Sequence, residues 1–323
     1  MSLIKKLTPI NLLEEKEKFF ADESYNPQFI YEENVPPETL LKYGQPRKEY
    51  AQLATEILDK AFYKKDETDL IKLEGVELTQ EEVTNKIVKF LEMHRLENRY
   101  KIIWSSSFIS RTTITSDSIK LRLPVNFRQK GLVGMLYHEI GTHALRRVNY
   151  EEQPWFKKKN QLKFKNYLLT EEGLSVLHSL IPQSLQLAYK PASFYLTSYF
   201  AQTHSFAELW QEMKKYIPDP EKRWIRVIRQ KRGLEDTSQP GGFTKDLVYL
   251  EGLIVVWKWL QSNDFDPTQL YFGKMAVEDV QKAVKMNPNF KPQLPSFFLL
   301  DKNQYQKDIK QIGQANLINQ IQL

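Results

Sequence analysis

The sequence predicts a mainly helical α+β fold with one small antiparallel β-sheet. Apolar residues recur at helical spacing over most of the chain, one stretch between residues 101 and 123 switches to β-branched and alternating residues, and the segments after it return to the helical pattern. With 323 residues, 41% of them hydrophobic and 12% aromatic, the chain can bury a sizeable core as one large domain or two smaller ones. No run approaches the roughly 20 apolar residues of a membrane span. Lys5 and Lys6 are followed too soon by Pro9, Asn11 and Glu14 for a signal-peptide core. Cytoplasmic residence and no membrane partner are the expectations.

From the N-terminus, residues 25–37 are rich in proline, asparagine and aromatics and read as a loop that packs on the body through Phe29, Ile30 and Tyr31. Residues 48–64 place Tyr50, Leu53, Ile57, Leu58 and Ala61 on one helix face. Thr79 and Glu82 form a capping box ahead of Val83, Ile87 and Leu91. Residues 101–115, with Ile102, Ile103, Trp104, Phe108, Ile109, Thr112, Thr113 and Ile114, favour strand. Ser116, Asp117 and Ser118 read as a turn, after which Ile119, Leu121 and Leu123 alternate with Lys120 and Arg122. The pattern predicts a hairpin ending at Pro124, with Asn126 capping the next helix and Gln129 as its reciprocal partner.

That next helix carries the run His138-Glu139-Ile140-Gly141-Thr142-His143. On a regular helix, positions i and i+5 sit about 140° apart and cannot share a metal, whereas i and i+4 sit about 40° apart. A local π-type widening, eased by Gly141, would bring His138 and His143 together and direct Glu139 at a metal-bound water. Tetrahedral catalytic zinc takes three protein ligands and keeps one open position. The third is sought in Thr170-Glu171-Glu172-Gly173-Leu174, where Thr170 reads as a helix cap and either glutamate is a candidate. With no cysteine in the chain, any metal must bind through His, Asp or Glu. His94, His178 and His204 have no partner at metal spacing and read as structural.

Further along, residues 222–232 form a basic helix with Trp224, Ile225 and Ile228 as its apolar stripe and Gly233 as its stop. Residues 254–260 form a strongly apolar helix, residues 287–295 interrupt the pattern, and a polar helical tail follows from Asp301. Forty-six Lys and Arg against 40 Asp and Glu give a net charge of +6. That excess tilts the surface toward acidic partners without calling for nucleic acid, which is not an expected partner. The residues alone leave an endopeptidase, an aminopeptidase, a carboxypeptidase and a non-catalytic binder of acidic peptides open.

Several of these residues together resemble the QEGLA-motif family, which includes the microtubule-associated tyrosine carboxypeptidases. They are His138, Glu139 and His143, the stretch Gln153-Pro154-Trp155, Glu172-Gly173-Leu174, the early Tyr25-Asn26-Pro27, and Arg229, Arg232, Gly233, Phe243-Thr244-Lys245-Asp246 and Tyr249. The resemblance implies a zincin-like (gluzincin-type) metallopeptidase with one Zn2+ per chain. On that basis residues 1–95 are an N-terminal loop and helical segment packed on the body, and residues 96–323 a catalytic domain continuous with it. Glu171 stands where the motif has Gln and Ser175 where it has Ala, so the shared glutamate, Glu172, is implied as third ligand. The five-residue histidine spacing is also similar to dipeptidyl peptidase III, where the second Glu of a pair binds zinc. The resemblance further implies Glu139 as catalytic base, Tyr249 as oxyanion donor, and Arg229, Arg232 and Lys245 as receivers of a terminal carboxylate. The implied activity removes a C-terminal residue, Tyr or Phe, from an acidic peptide or protein tail.

Overall fold

The computed structural model of the chain describes residues 3–108 and 110–321, so Ile109 lies outside the described residues. Among the described residues the chain is mainly helical with one three-stranded sheet, as the α+β class requires. It divides into two compact units, each assembled from two stretches: Met1–Glu67 with Ala188–Leu250, and Thr68–Leu187 with Glu251–Leu323. Among the described residues no helix is long and apolar enough to cross a membrane.

In the first unit, helix Lys48–Ala61 packs along helix Tyr189–Ala201, and the backbone N–H of Arg47 donates to the Tyr195 hydroxyl at 2.8 Å. That bond fixes where the first of these helices begins, since Arg47 has no side-chain cap. Phe19, Phe206, Trp210 and Trp224 interlock edge to face or tilted, Phe19 meeting each of the others at 4.9–5.4 Å between centroids. The entry loop is tied down by Glu15, only 2% exposed, which accepts from the Tyr25 hydroxyl and the Gln28 N–H, each at 2.7 Å. Phe29 is buried as its apolar character demands, but Ile30 is 55% exposed because the loop turns it outward.

The second unit holds the sheet. Strand β1 (Lys101–Ser105) pairs in parallel with β3 (Ser118–Arg122), which pairs antiparallel with β2 (Thr112–Ile114). The sheet is therefore mixed, not wholly antiparallel, and the hairpin involves only the second half of the predicted first strand. Its break has a local cause: Ser105 Oγ contacts Ser107 Oγ at 2.8 Å and accepts from the Ser107 N–H at 3.1 Å, folding the chain out of the strand. The capping box at Thr79 forms as expected. Asn126 does not cap; the next helix runs Gln129–His138 from Arg128 without a side-chain cap. Likewise Thr170 sits inside helix Leu168–Leu180, which starts after Tyr167, and its hydroxyl accepts from the Val277 N–H at 3.0 Å.

Helices Gln129–His138 and Leu168–Leu180 pack together. The second of them also crosses helix Leu247–Gln261 backbone to backbone, because Gly173 and Gly252 face each other with no room for a Cβ on either. A close crossing of this kind brings the residue next to Gly173 into a fixed position, and that residue is Glu172.

Candidate functional site

Helix Gln129–His138 continues into one π-helical turn, Glu139–Ala144, and then into helix Leu145–Glu151. The wider turn brings residue i+5 over residue i, and the His138 and His143 rings lie edge to face with centroids 4.8 Å apart. Gly141 lies in the turn, where a Cβ would come 2.6 Å from the Phe297 ring. Glu172 Oε2 lies 4.0 Å from His138 Nε2 and 3.9 Å from His143 Nε2. One ligand atom from each of these residues falls within 4.8 Å of the others, and among the described residues no other group of three acidic or histidine side chains does so. Two imidazole nitrogens and one carboxylate are the donor set of an open, four-coordinate metal site.

Glu171 points the other way along its helix turn. Its carboxylate accepts from His143 Nδ1 at 2.8 Å and from Lys274 Nζ at 2.6 Å, and it is also ion-paired with Arg146. Holding Nδ1–H in this way leaves His143 Nε2 free to ligate. Sequence reasoning missed this clamp in part. Arg146, three residues past His143 on the same helical run, is a signal that a carboxylate faces it; Lys274, about a hundred residues on, leaves none.

Charge in the site follows from this arrangement. Burial lowers His138 well below the ordinary imidazole range, with the neighbouring His143 adding to it. Burial acts on His143 in the same direction, but the Glu171 hydrogen bond and the charges of Glu171, Glu172 and Glu139 outweigh it and raise His143. Burial raises Glu139, opposed by His143, Lys274 and Arg111. Glu171 is also penalised by burial, yet Lys274, Arg146 and His143 hold it well below the usual carboxylate range.

The remaining predicted site residues belong to the first unit. Arg229 is committed to Asp246, its Nε and Nη2 donating to the two carboxylate oxygens at 2.5 and 2.7 Å. Burial opposes the charge of Arg229, but Asp246 and Tyr249 raise its pKa. Arg232 stacks over the Phe243 ring at 5.0 Å, and its buried Nε has no hydrogen-bond partner among the described residues. Tyr249 packs against Phe194 with ring centroids 5.7 Å apart, and Lys245 is half-buried.

Comparison with known proteins supplies a family. Residues 36–289 match the family described as "Microtubule-associated tyrosine carboxypeptidase". The chain is 31% identical over 329 residues to "Microtubule-associated tyrosine carboxypeptidase 1" of Mus musculus, covering 99% of this chain and 70% of that protein. The Homo sapiens counterpart is also 31% identical, over 99% of this chain and 69% of its own length. "Putative tyrosine carboxypeptidase MATCAP2" of Mus musculus is 31% identical over 100% of this chain and 63% of that protein. With the family match spanning most of the sequence and the relatives aligned from end to end of it, the chain belongs to the microtubule-associated tyrosine carboxypeptidase family.

Proposed function

We propose that this chain is a zincin-like metallocarboxypeptidase that binds one Zn2+ and removes a C-terminal Tyr or Phe from acidic peptide or protein tails in the cytoplasm. The observation that carries the reading is the convergence of His138, His143 and Glu172 across a π-helical turn, in a chain whose relatives are named tyrosine carboxypeptidases. His138 Nε2, His143 Nε2 and a Glu172 oxygen would hold the ion. When bound, zinc supplies Lewis acidity that polarises the scissile carbonyl and acidifies water.

The rest is the work of side chains. The Glu139 carboxylate takes the proton of the attacking water and delivers it to the departing amine, a transfer helped by burial that raises its proton affinity. Glu171 keeps His143 oriented throughout. Strand β2 lies against the π-helical turn and, among the described residues, pairs only with β3. Its other edge offers backbone groups to an extended peptide. Arg232, with a buried and unsatisfied Nε, is suited to an anionic group of the substrate in a way that Arg229, already paired with Asp246, is not.

The test is digestion of a peptide library by metal-loaded protein, read by mass spectrometry, with free and amidated C-termini compared. Loss of a single terminal residue from free peptides and none from amidated ones is expected. Efficient cleavage of amidated peptides or of internal bonds would overturn the carboxypeptidase reading.

A further inference from the structure

Two side chains outside the ligand set, His178 and Tyr271, touch the π-helical turn from elements distant in sequence. The Thr142 hydroxyl, fully buried in the turn, donates to the Tyr137 carbonyl at 2.8 Å and contacts His178 Nδ1 at 2.8 Å. His178, on helix Leu168–Leu180, contacts the Tyr305 hydroxyl through Nε2 at 2.9 Å. Tyr271 donates from its hydroxyl to the Gly141 carbonyl at 2.6 Å.

The bond to the Tyr137 carbonyl sets one consistent assignment of protons along this chain. A hydroxyl has one hydrogen; with Thr142 giving its own to the Tyr137 carbonyl, it accepts from His178 Nδ1–H. His178 Nε2 is then an acceptor, and the Tyr305 O–H must be its donor. The bonds run in one direction from Tyr305 to His178 to Thr142 and end on the carbonyl of the residue preceding His138. Every member is buried, so no water can replace a missing partner without a rearrangement.

Tyr305 belongs to helix Lys302–Ala315, whose polar sequence carries no chemical signal of its own. The helix is nonetheless seated firmly: Gly313 lies against the Trp257 indole, and Trp257 Nε1 donates to the Ile309 carbonyl at 2.7 Å. Just ahead of it, Phe297 stacks on Tyr137 at 4.1 Å and occupies the space that a side chain at position 141 would need.

We infer that Tyr305, His178 and Thr142 are positioning residues that hold the π-helical turn in the geometry bringing His138 and His143 together, making the C-terminal helix a working part of the metal centre. A π turn is an unfavourable departure from the α-helical ladder. If the side-chain bonds on Tyr137 and Gly141 are lost, the regular α-helix becomes the competing state, with His138 and His143 on different faces. The inference rests on the proposed metal site for its consequence, but not for its geometry, which can be tested without metal.

The experiment compares wild type with Tyr305→Phe, Thr142→Val and Thr142→Ser in the full chain, with two readouts. In metal-free protein, hydrogen exchange of the peptide covering residues 138–145 should speed up at least tenfold in Tyr305→Phe and Thr142→Val and stay near wild type in Thr142→Ser, which keeps the hydroxyl. In Co2+-loaded protein, the first two variants should bind the ion about tenfold more weakly and alter its visible absorption, with Thr142→Ser restoring both. Unchanged exchange at residues 138–145 in folded Tyr305→Phe and Thr142→Val would overturn the inference, as would a melting-point loss shared equally by Thr142→Ser. Failure of wild type to bind Co2+ would count against the metallopeptidase reading alone, because the exchange arm still decides this one.

Discussion

At the scale of single residues, the two adjacent pairs in the site are separated by role. His138 and Glu139 are neighbours in sequence, yet one is a candidate ligand and the other a candidate base; Glu172 faces the histidine Nε2 atoms while Glu171 faces Nδ1 of one of them. Consecutive helix positions differ by about 100° in direction, which is what allows neighbouring carboxylates to do different work. The prediction is correspondingly specific. Glu139→Gln should retain about one zinc per chain while losing on the order of 10²–10⁴ in rate, since the amide keeps the shape but does not accept the proton. Glu172→Ala should lose the zinc itself, because two histidines are a weak site for the ion. Elemental analysis beside a turnover assay separates these outcomes; full zinc in Glu172→Ala would move the third ligand elsewhere. Which glutamate faces the histidines was not readable from local residues, because Glu171 and Glu172 are equally acidic and adjacent. The family motif singled out Glu172, and the geometry puts its oxygen beside both Nε2 atoms.

At the scale of elements, periodicity identified the helices and their buried faces because it reports how one segment meets the rest of the core. Tyr50, Leu53, Ile57, Leu58 and Ala61 are all buried, on a helix that runs Lys48–Ala61. Alternation in β3 likewise reported its buried face, with Ile119 and Leu121 at 1% and 0% exposure. Pairing was beyond its reach: nothing in residues 101–105 says that they add in parallel, since that is decided by what lies beside β3 in space. The helix crossing at Gly173 and Gly252 was hidden for the same reason, two ordinary glycines 79 positions apart meeting backbone to backbone. Gly173→Ala should therefore push helix Leu168–Leu180 off helix Leu247–Gln261. A loss of about 1–3 kcal/mol of stability is expected from overpacking. Zinc affinity should fall along with stability, because Glu172 moves with its helix. Denaturant titration and metal competition check both, and a variant as stable and as tightly metallated as wild type would remove the crossing from the account of the site.

At the scale of the whole molecule, the chain carries a net charge of +6 and also buries several bases whose charged forms the fold resists. Lys231 is fully buried, its amine donating to the carbonyls of His204 at 2.5 Å and Gln239 at 2.9 Å, and burial, opposed by the charge of Glu208, lowers its pKa to about 8. Lys159, lying over the Tyr167 ring at 3.7 Å, is lowered to about 7 by burial and by the charge of Arg146. For a base whose pKa is lower when folded, the unfolded chain holds more protons between the two values, so stability rises with pH across that window. For these lysines the window opens near pH 7–8 and closes near the ordinary lysine value of 10.5. His178, lowered to about 3 by burial, acts in the same direction at lower pH: the fold loses stability as pH falls from 6.5 toward 3. His143 opposes the trend, since its raised pKa gives stability that is present below 6.5 and lost as pH rises through the folded value. Metal-free protein should accordingly be more stable at pH 9 than at pH 7, with Lys231 alone contributing roughly 1 kcal/mol of the rise. Lys231→Met will be less stable at every pH, because two buried carbonyls lose their donor, but its stability should climb less between pH 7 and 9. Urea midpoints measured with a chelator at both pH values give that slope. A slope in Lys231→Met equal to wild type would mean that the lysine keeps its charge in the folded chain, held by the two carbonyls strongly enough to outweigh its burial.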